Sequence, residues 1–389
     1  MSNRWQALAA SAIGFALALG AAEAGLRAIG FGYPMFYAYD DFTGAKLRAG
    51  AEGWLNQEAP PIYIKINSDG LRDREHAEDK PADTFRIAVL GDSFAEGLAV
   101  PIEKTFWAVM EERLNACKAF GAKKVEVINF GVSGYGTGQE LMTLRRRVWR
   151  YSPDMVLLAF TTANDLINNS KTLEADHLRP FFSARDGKLE LDDSFLRDPV
   201  YKRKTGALWR TYWTLSARCR ILQLINRWKT RRQIALRAAA APKDGRVEAG
   251  LNAGIYAAPT TPVWIEAWRD TEALIVEMRK EVEAGGARFF LATLTTGIQV
   301  HPDPAARKAA LVGRNVDLSY QDKRLGALAR RERLDFLALG PSLRAYAERH
   351  KAFLHGFTTS RLGEGHWNEE GHRVAGEALA ERLCRSVPK

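Results

Sequence analysis

Phe85-Arg86-Ile87-Ala88-Val89-Leu90-Gly91-Asp92-Ser93-Phe94-Ala95-Glu96-Gly97 is the stretch from which the rest of the chain can be read. A short apolar run that stops at a glycine reads as a strand covered on both faces. In an open α/β sheet the ligand crevice lies beyond the carboxyl ends of the strands. Gly91 permits a tight turn at that place, and Ser93 then opens a loop or helix with its hydroxyl toward the crevice. A serine so placed is ordinarily a helix N-cap; the alternative is a nucleophile. The segment is not the Gly-x-Ser-x-Gly elbow, because residue 95 is Ala.

Working outward, residues 125–130, 155–160 and 289–294 are similar β-branched or aromatic runs, and residues 334–337 form a weaker one. Helical patterns fall between and after them, over residues 105–114, 139–149, 262–284, 341–350 and 369–384. Strands alternating with helices predict an α/β fold in which a parallel sheet carries helices on both faces. Residues 166–260 interrupt this rhythm. There Trp209, Trp213, Ile221, Leu224, Ile225 and Trp228 recur at roughly helical spacing among Arg210, Arg218, Arg220, Arg227, Lys229, Arg231 and Arg232. Two readings stand: a helical insertion capping the main domain, or a basic amphipathic face resting on a membrane or an acidic polymer. Residues 238–242 read as a linker.

Upstream, residues 32–84 look irregular, with one strand-like run at residues 62–66, and read as a surface extension. Residues 1–31 form a separate segment. Arg4 precedes an uncharged Ala- and Leu-rich run over residues 5–22, close to the roughly 18 residues needed to span a bilayer. A positive start followed by an apolar stretch predicts an uncleaved membrane anchor, a cleaved secretory signal, or a buried helix. The first two place the body outside the cytoplasm, at the periplasm or exterior. The formal net charge of +10 favours acidic partners. No nucleic-acid-binding motif accompanies it, so nucleic acid is not expected among them. Cys117, Cys219 and Cys384 form no Cys-x-x-Cys pair and allow at most one internal disulfide.

Three further segments carry chemistry. Asn129-Phe130-Gly131-Val132-Ser133-Gly134-Tyr135-Gly136-Thr137-Gly138 follows the second strand. Its glycines lack the Gly-x-Gly-x-x-Gly spacing of a dinucleotide site, which leaves a backbone N–H serving as an oxyanion donor. Thr161-Thr162-Ala163-Asn164-Asp165 follows the third strand, and Asn164 is either a turn or cap residue or a neutral amide donor. Gly363-Glu364-Gly365-His366-Trp367-Asn368-Glu369-Glu370-Gly371-His372 precedes the last helix. There His366 can reach back to the first strand end as a general base, Glu364 is the nearest upstream acid, and His372 reads as structural.

In this order the four segments resemble the SGNH hydrolases, also called GDSL esterases and lipases, over residues 85–389 apart from the insertion. The resemblance implies a flavodoxin-like three-layer αβα sandwich around a parallel five-stranded sheet. It implies Ser93 as nucleophile and His366 as base, with an oxyanion hole of Ser93, Gly134 and Asn164. Ile66-Asn67-Ser68-Asp69-Gly70-Leu71-Arg72-Asp73 is similar to membrane-anchored bacterial members. Two departures stand out. Thr162 occupies the place of a usual glycine, and Gly363 occupies the place, three residues before the histidine, of the usual acid. An acid two residues before a His-Trp pair resembles the alginate acetylation proteins, which have aspartate there; here it is Glu364. The expected triad is therefore Ser93, His366 and Glu364.

These readings predict a serine-dependent acyl ester hydrolase that uses no metal or organic cofactor and acts on an acylated small molecule or polysaccharide. An O-acetyltransferase or deacetylase of an extracytoplasmic polysaccharide is the first alternative, from the His366-Trp367 context, the apolar amino terminus and the positive charge. A catalytically silent carbohydrate-binding protein on the same fold is the second, from Thr162 and the position of the acid.

Overall fold

The computed structural model describes residues 2–55, 58–121, 123–240, 251–313 and 315–385. The chain opens with helix α1 (Ser2–Ala28). Two antiparallel hairpins follow, β1 (Tyr37–Asp40) with β2 (Gly44–Leu47), and β3 (Glu52–Leu55) with β4 (Ile62–Lys65). The main domain then runs β5 (Thr84–Gly91), α2 (Ser93–Glu96), α3 (Phe106–Ala116), β6 (Lys124–Asn129), α4 (Thr137–Arg146), β7 (Met155–Thr161) and α5 (Asp165–Asn168). An insertion holds the hairpin β8 (Phe181–Arg185) and β9 (Lys188–Asp192) and helices α6 (Pro199–Thr205), α7 (Ala207–Arg218) and α8 (Arg220–Ala240). The domain resumes with α9 (Pro262–Ala284), β10 (Arg288–Leu294), α10 (Pro304–Leu311), α11 (Tyr320–Glu332), β11 (Asp335–Ala338), α12 (Gly340–His350) and α13 (Glu369–Arg385).

The central sheet has the order β6-β5-β7-β10-β11, and every pairing in it is parallel. Numbered among themselves, the five strands lie 2-1-3-4-5, the flavodoxin-like order. The expected α/β class and parallel five-stranded sheet are therefore present. Period-two alternation divides the strand residues between two cores. On one side Ile87, Val89, Leu157, Phe290 and Ala292 pack with Phe106 and Met110 of α3, Leu343 of α12 and Leu379 and Leu383 of α13. On the other, Ala88, Leu90, Val156, Leu158 and Leu291 pack with Leu141 and Leu144 of α4, Leu274 and Met278 of α9, and Leu325 and Leu328 of α11. Both strand faces are dry, which is why the runs read as continuous rather than alternating.

Arg86 is the exception in β5: it is fully buried, and its guanidinium is satisfied by the Glu126 carboxylate at 2.7 Å and by the carbonyls of Tyr151, Glu78 and Ala77. A buried cation so fully paired ties the end of the extension to the sheet.

Four points differ from the sequence reading. Residues 32–84 carry two small hairpins; the strand-like run is β4. The insertion is mixed rather than wholly helical, because Asp186-Gly187, both at positive φ, form the two-residue turn joining β8 to β9. The sequence pattern did not reveal helices α10 and α11; in Tyr320–Glu332 six of thirteen residues are charged, and the buried apolar side chains are just Leu325, Leu328 and Ala329. Of the linker expected over residues 238–242, residues 238–240 end α8 and the other two lie outside the described residues.

Cys117, just past α3, is disulfide-bonded to Cys384 near the end of α13, across 267 residues of sequence; Cys219 is free. A cross-link of this span removes much of the unfolded chain's freedom. Cys384→Ala should therefore lower stability by about 2–5 kcal/mol in urea unfolding, and a reductant should bring the wild type to a similar midpoint. Equal midpoints for oxidised wild type and variant would show that the link contributes nothing.

Candidate active site

The site forms where β5, β6 and β7 end. Gly91 closes β5 because any side chain there would strike its surroundings: an added Cβ would lie 2.8 Å from the Ala95 Cβ. The N-cap of α2 is Asp92, whose carboxylate accepts from Phe94 N at 3.0 Å and from the Thr161 hydroxyl at 2.7 Å. Capping is thus done by the neighbour, and Ser93 is not consumed by it. Its Oγ lies 2.8 Å from His366 Nε2, with Asp92 Oδ2 a more distant partner at 3.4 Å.

A glycine is also required at 131, where a Cβ would come within 2.7 Å of the Glu96 backbone N. Its absence lets α2 sit against the turn after β6. The buried Glu96 carboxylate pins that turn, accepting from Ser133 N at 2.5 Å, from the Ser133 hydroxyl and from the Tyr37 hydroxyl at 2.9 Å. Burial pushes the Glu96 carboxyl above its ordinary pKa, although these hydrogen bonds oppose the shift. Gly134 follows at φ 78°, a left-handed conformation suited to glycine, and its carbonyl accepts from Arg179 Nη1 at 2.7 Å. Residues 66–73 hold the end of β6 and the turn after α2. The Asp73 carboxylate accepts from Asn129 N at 2.8 Å, and Arg72 donates to the carbonyls of Glu96 and Val100.

Asn164 caps α5, and its amide donates to Asn168 Oδ1 at 2.5 Å. Thr162 is buried, its hydroxyl donating to the Leu294 carbonyl at 2.7 Å and lying 3.0 Å from Gln299 Oε1. The residue in the glycine's place therefore fastens the β7 end to the β10 end.

His366 stands on a loop in which Gly363 and Gly365 both have positive φ. Its ring leans on Phe94, with centroids 5.1 Å apart. Its Nδ1 meets a carboxylate, but not that of Glu364. The acid is Glu58, with Oε2 at 2.8 Å and Oε1 at 3.0 Å. Glu364 instead pairs with Arg361 at 3.1 Å. The physical reason lies in the loop: it turns at both flanking glycines, and Glu58 occupies the space beside Gly365, where a Cβ would sit 3.4 Å from Glu58 Oε2. The Glu58 carbonyl is held by the Thr359 hydroxyl at 2.6 Å. Sequence reasoning missed Glu58 because it lies 308 residues before His366, in a segment read as a surface extension.

Burial alone disfavours the charged His366 ring, but the hydrogen bond and charge of Glu58, backed by Asp92 and Glu96, outweigh it and raise its pKa. Burial likewise raises the Glu58 carboxyl, and the His366 contact more than reverses this, leaving it lowered. The other two nearby imidazoles behave differently. His355 and His372 are pushed down to about 3 by burial and stay neutral. His372 accepts from Phe106 N at 3.2 Å, and His355 contacts the Gly365 carbonyl and the Thr295 hydroxyl. Among the described residues no group of His, Cys, Asp or Glu has the makings of a metal site.

Ser93, His366 and Glu58 open on a cavity of about 670 Å³ whose wall also includes Gly134, Leu98 and residues 33–39. Asn164 is not among its lining residues. The structure thus brings Ser93, Gly134 and His366 together, adds Glu58, and leaves Glu364 and Asn164 out of the lining. Chemically the arrangement is a hydroxyl, a base whose other nitrogen is held by a carboxylate, and space beside them.

No protein-family model matches the chain, and no curated protein matches it. Among solved structures it is similar to an acetyl xylan esterase, AlAXEase, at 12% identity and TM-score 0.39, over 78% of this chain and 100% of that one. It is also similar to LAE5, an alpha/beta hydrolase from the metagenome of Lake Arreo, Spain, at 14% identity and TM-score 0.39, over 77% and 94%. A variant of the acetyl xylan esterase Axe2 from Geobacillus stearothermophilus gives 10% identity and TM-score 0.39, over 78% and 97%. At TM-scores this low the likenesses carry no argument, and the functional reading rests on the chain's own topology and site.

Because the Glu58 charge holds the His366 proton, the imidazole should titrate above the ordinary 6.5. Histidine NMR should show this pKa falling in Glu58→Gln and unchanged in Glu364→Gln. The reverse pattern would return the acid to Glu364.

Proposed function

We propose that the chain is a serine-dependent acyl ester hydrolase of the SGNH type, acting outside the cytoplasm through Ser93, His366 and Glu58. The observation that carries this reading is the unbroken hydrogen-bonded series Ser93 Oγ, His366 Nε2, His366 Nδ1, Glu58, with contacts of 2.8 Å on both sides of the ring, beside a cavity.

In this mechanism His366 takes the Ser93 proton as Oγ attacks the ester carbonyl. Glu58 holds the ring in the tautomer with Nδ1 protonated and stabilises the imidazolium that forms. The backbone N–H groups of Ser93 and Gly134 stabilise the tetrahedral oxyanion. The Asn164 amide, with one N–H given to Asn168, has a second for the same role. His366 then protonates the leaving alcohol, and water attacks the acyl-Ser93 ester with His366 again as base. The extracytoplasmic setting is supported by α1, an apolar helix of the kind found in signal anchors and signal peptides, and by the Cys117–Cys384 disulfide.

With p-nitrophenyl acetate, Ser93→Ala should abolish turnover, and Glu58→Gln should lower kcat/KM by about 10²- to 10⁴-fold by analogy with other triads. Glu364→Gln should remain close to wild type. Rate should fall as pH drops through the His366 pKa, since the protonated ring cannot accept the serine proton. That limb lies above pH 6.5 in the wild type and moves down in Glu58→Gln. Equal activity of wild type and Ser93→Ala overturns the proposal.

A further inference from the structure

We infer that the outer face of α7 and α8 lies on an anionic lipid surface beside α1, and that the Ser93 cavity receives the acyl chain of a lipid ester from that surface. This rests on the ester-hydrolase reading and names its substrate class.

On α8, Leu224, Trp228, Arg232 and Leu236 are spaced four apart and so share one face. The three apolar members are 43%, 60% and 59% exposed. Arg231 and Lys229 border this face, and the Arg232 guanidinium sits over the Trp228 ring. On α7, Leu208 and Leu215, seven apart, are likewise exposed. The opposite side of α8 is occupied: Gln223 accepts from Tyr33 N at 2.9 Å, Asn226 contacts Met35, and Arg227 lies over Phe31. One side thus packs on the segment leaving α1, while the other presents leucine and tryptophan framed by cations, the composition of a helix seated among lipid headgroups.

The place of α1 indicates which surface that is. Its span Arg4–Ala28 has a mean hydropathy of 1.7 and is not buried in the protein. Near its end, Glu23 accepts from Arg220 N at 3.0 Å and Ile221 N at 3.1 Å, the first residues of α8, and Arg27 donates to the Arg218 carbonyl at 2.6 Å. The start of α8 is therefore fastened where α1 leaves the apolar layer. Charge agrees. No Asp or Glu lies between Asp198 and Asp244, whereas Lys and Arg recur throughout that stretch of a chain whose net charge is +10. Clustered cations beside a membrane helix favour anionic headgroups.

The same elements wall the cavity. Trp213 of α7, with Tyr33, Met35 and Phe36 of the segment behind α8, lines it together with Ser93 and His366. An acetyl group would fill a small part of about 670 Å³, whereas a long acyl chain gains from each methylene it buries along these walls.

The test uses the full chain reconstituted in phosphatidylcholine vesicles with or without phosphatidylglycerol. Vesicle-borne p-nitrophenyl palmitate is the substrate, and soluble p-nitrophenyl acetate the control. Palmitate turnover should rise with phosphatidylglycerol. It should fall about tenfold or more in the triple variant Lys229→Glu, Arg231→Glu, Arg232→Glu, with acetate turnover unchanged. Brominated phospholipid should quench Trp228, seen as the difference between wild type and Trp228→Phe, whether or not any ester is cleaved. Wild-type rates on palmitate in the triple variant, or no Trp228 quenching, overturn the inference. A wild-type dimer that the triple variant dissociates, without quenching, would assign the face to a second copy and also overturn it. Quenching without acetate turnover would instead sink the ester-hydrolase reading and leave the lipid contact standing.

Discussion

Asp92 is the residue on which the arrangement of the site depends. Its buried carboxylate caps α2 through Phe94 N and, by accepting from the Thr161 hydroxyl, ties the end of β5 to the end of β7. Were Ser93 itself the cap, its oxygen would be committed to the helix terminus. Because Asp92 does that work one residue earlier, Ser93 Oγ is left at 2.8 Å from His366. The glycines at 91 and 131 serve the same end, removing the side chains that would hold α2 away from the strand ends.

Around this lies an unusual density of buried acids. Glu96 fixes the turn before Gly134. Glu140 and Asp165, fully buried, keep their protons well above the ordinary carboxyl range, chiefly through burial and then through neighbouring negative charge, that of Asp92 included. Such groups are tolerable in the interior only when neutral or well hydrogen-bonded. Glu58 differs: partly exposed at the edge of the cavity, it faces His366 and has its pKa lowered. The acid best suited to steady an imidazolium is thus the one whose charge is already balanced there.

The amino-terminal extension is consequently part of the site rather than a wrapping. It contributes Glu58, the Tyr37 hydroxyl on Glu96 and much of the cavity wall. The insertion contributes Trp213 to the same wall and Arg179 to the Gly134 carbonyl. The parallel sheet and its helices position Ser93 and His366, while the segments outside them shape much of the cavity on which these residues open.

Local pattern determined a good deal by itself. Short apolar runs, two of them stopping at Gly91 and Gly131, located four strands closely and the fifth within a residue, alternation with helices set the parallel sheet, and a serine after β5 with a histidine before α13 marked two residues that meet. These features are written over a few consecutive residues, where periodicity and turn chemistry act. Helix α11 escaped because its charged surface outnumbers its three core positions, and β8–β9 because its Asp-Gly turn sat within a segment otherwise helical in pattern. The partner of His366 Nδ1 was beyond sequence spacing altogether. Glu364 is near in sequence but turned toward Arg361 by a loop with glycines on both sides, while Glu58, 308 residues away, is delivered by packing. Which carboxylate reaches a ring nitrogen depends on where separate segments come to rest against one another, and only the tertiary structure decides that.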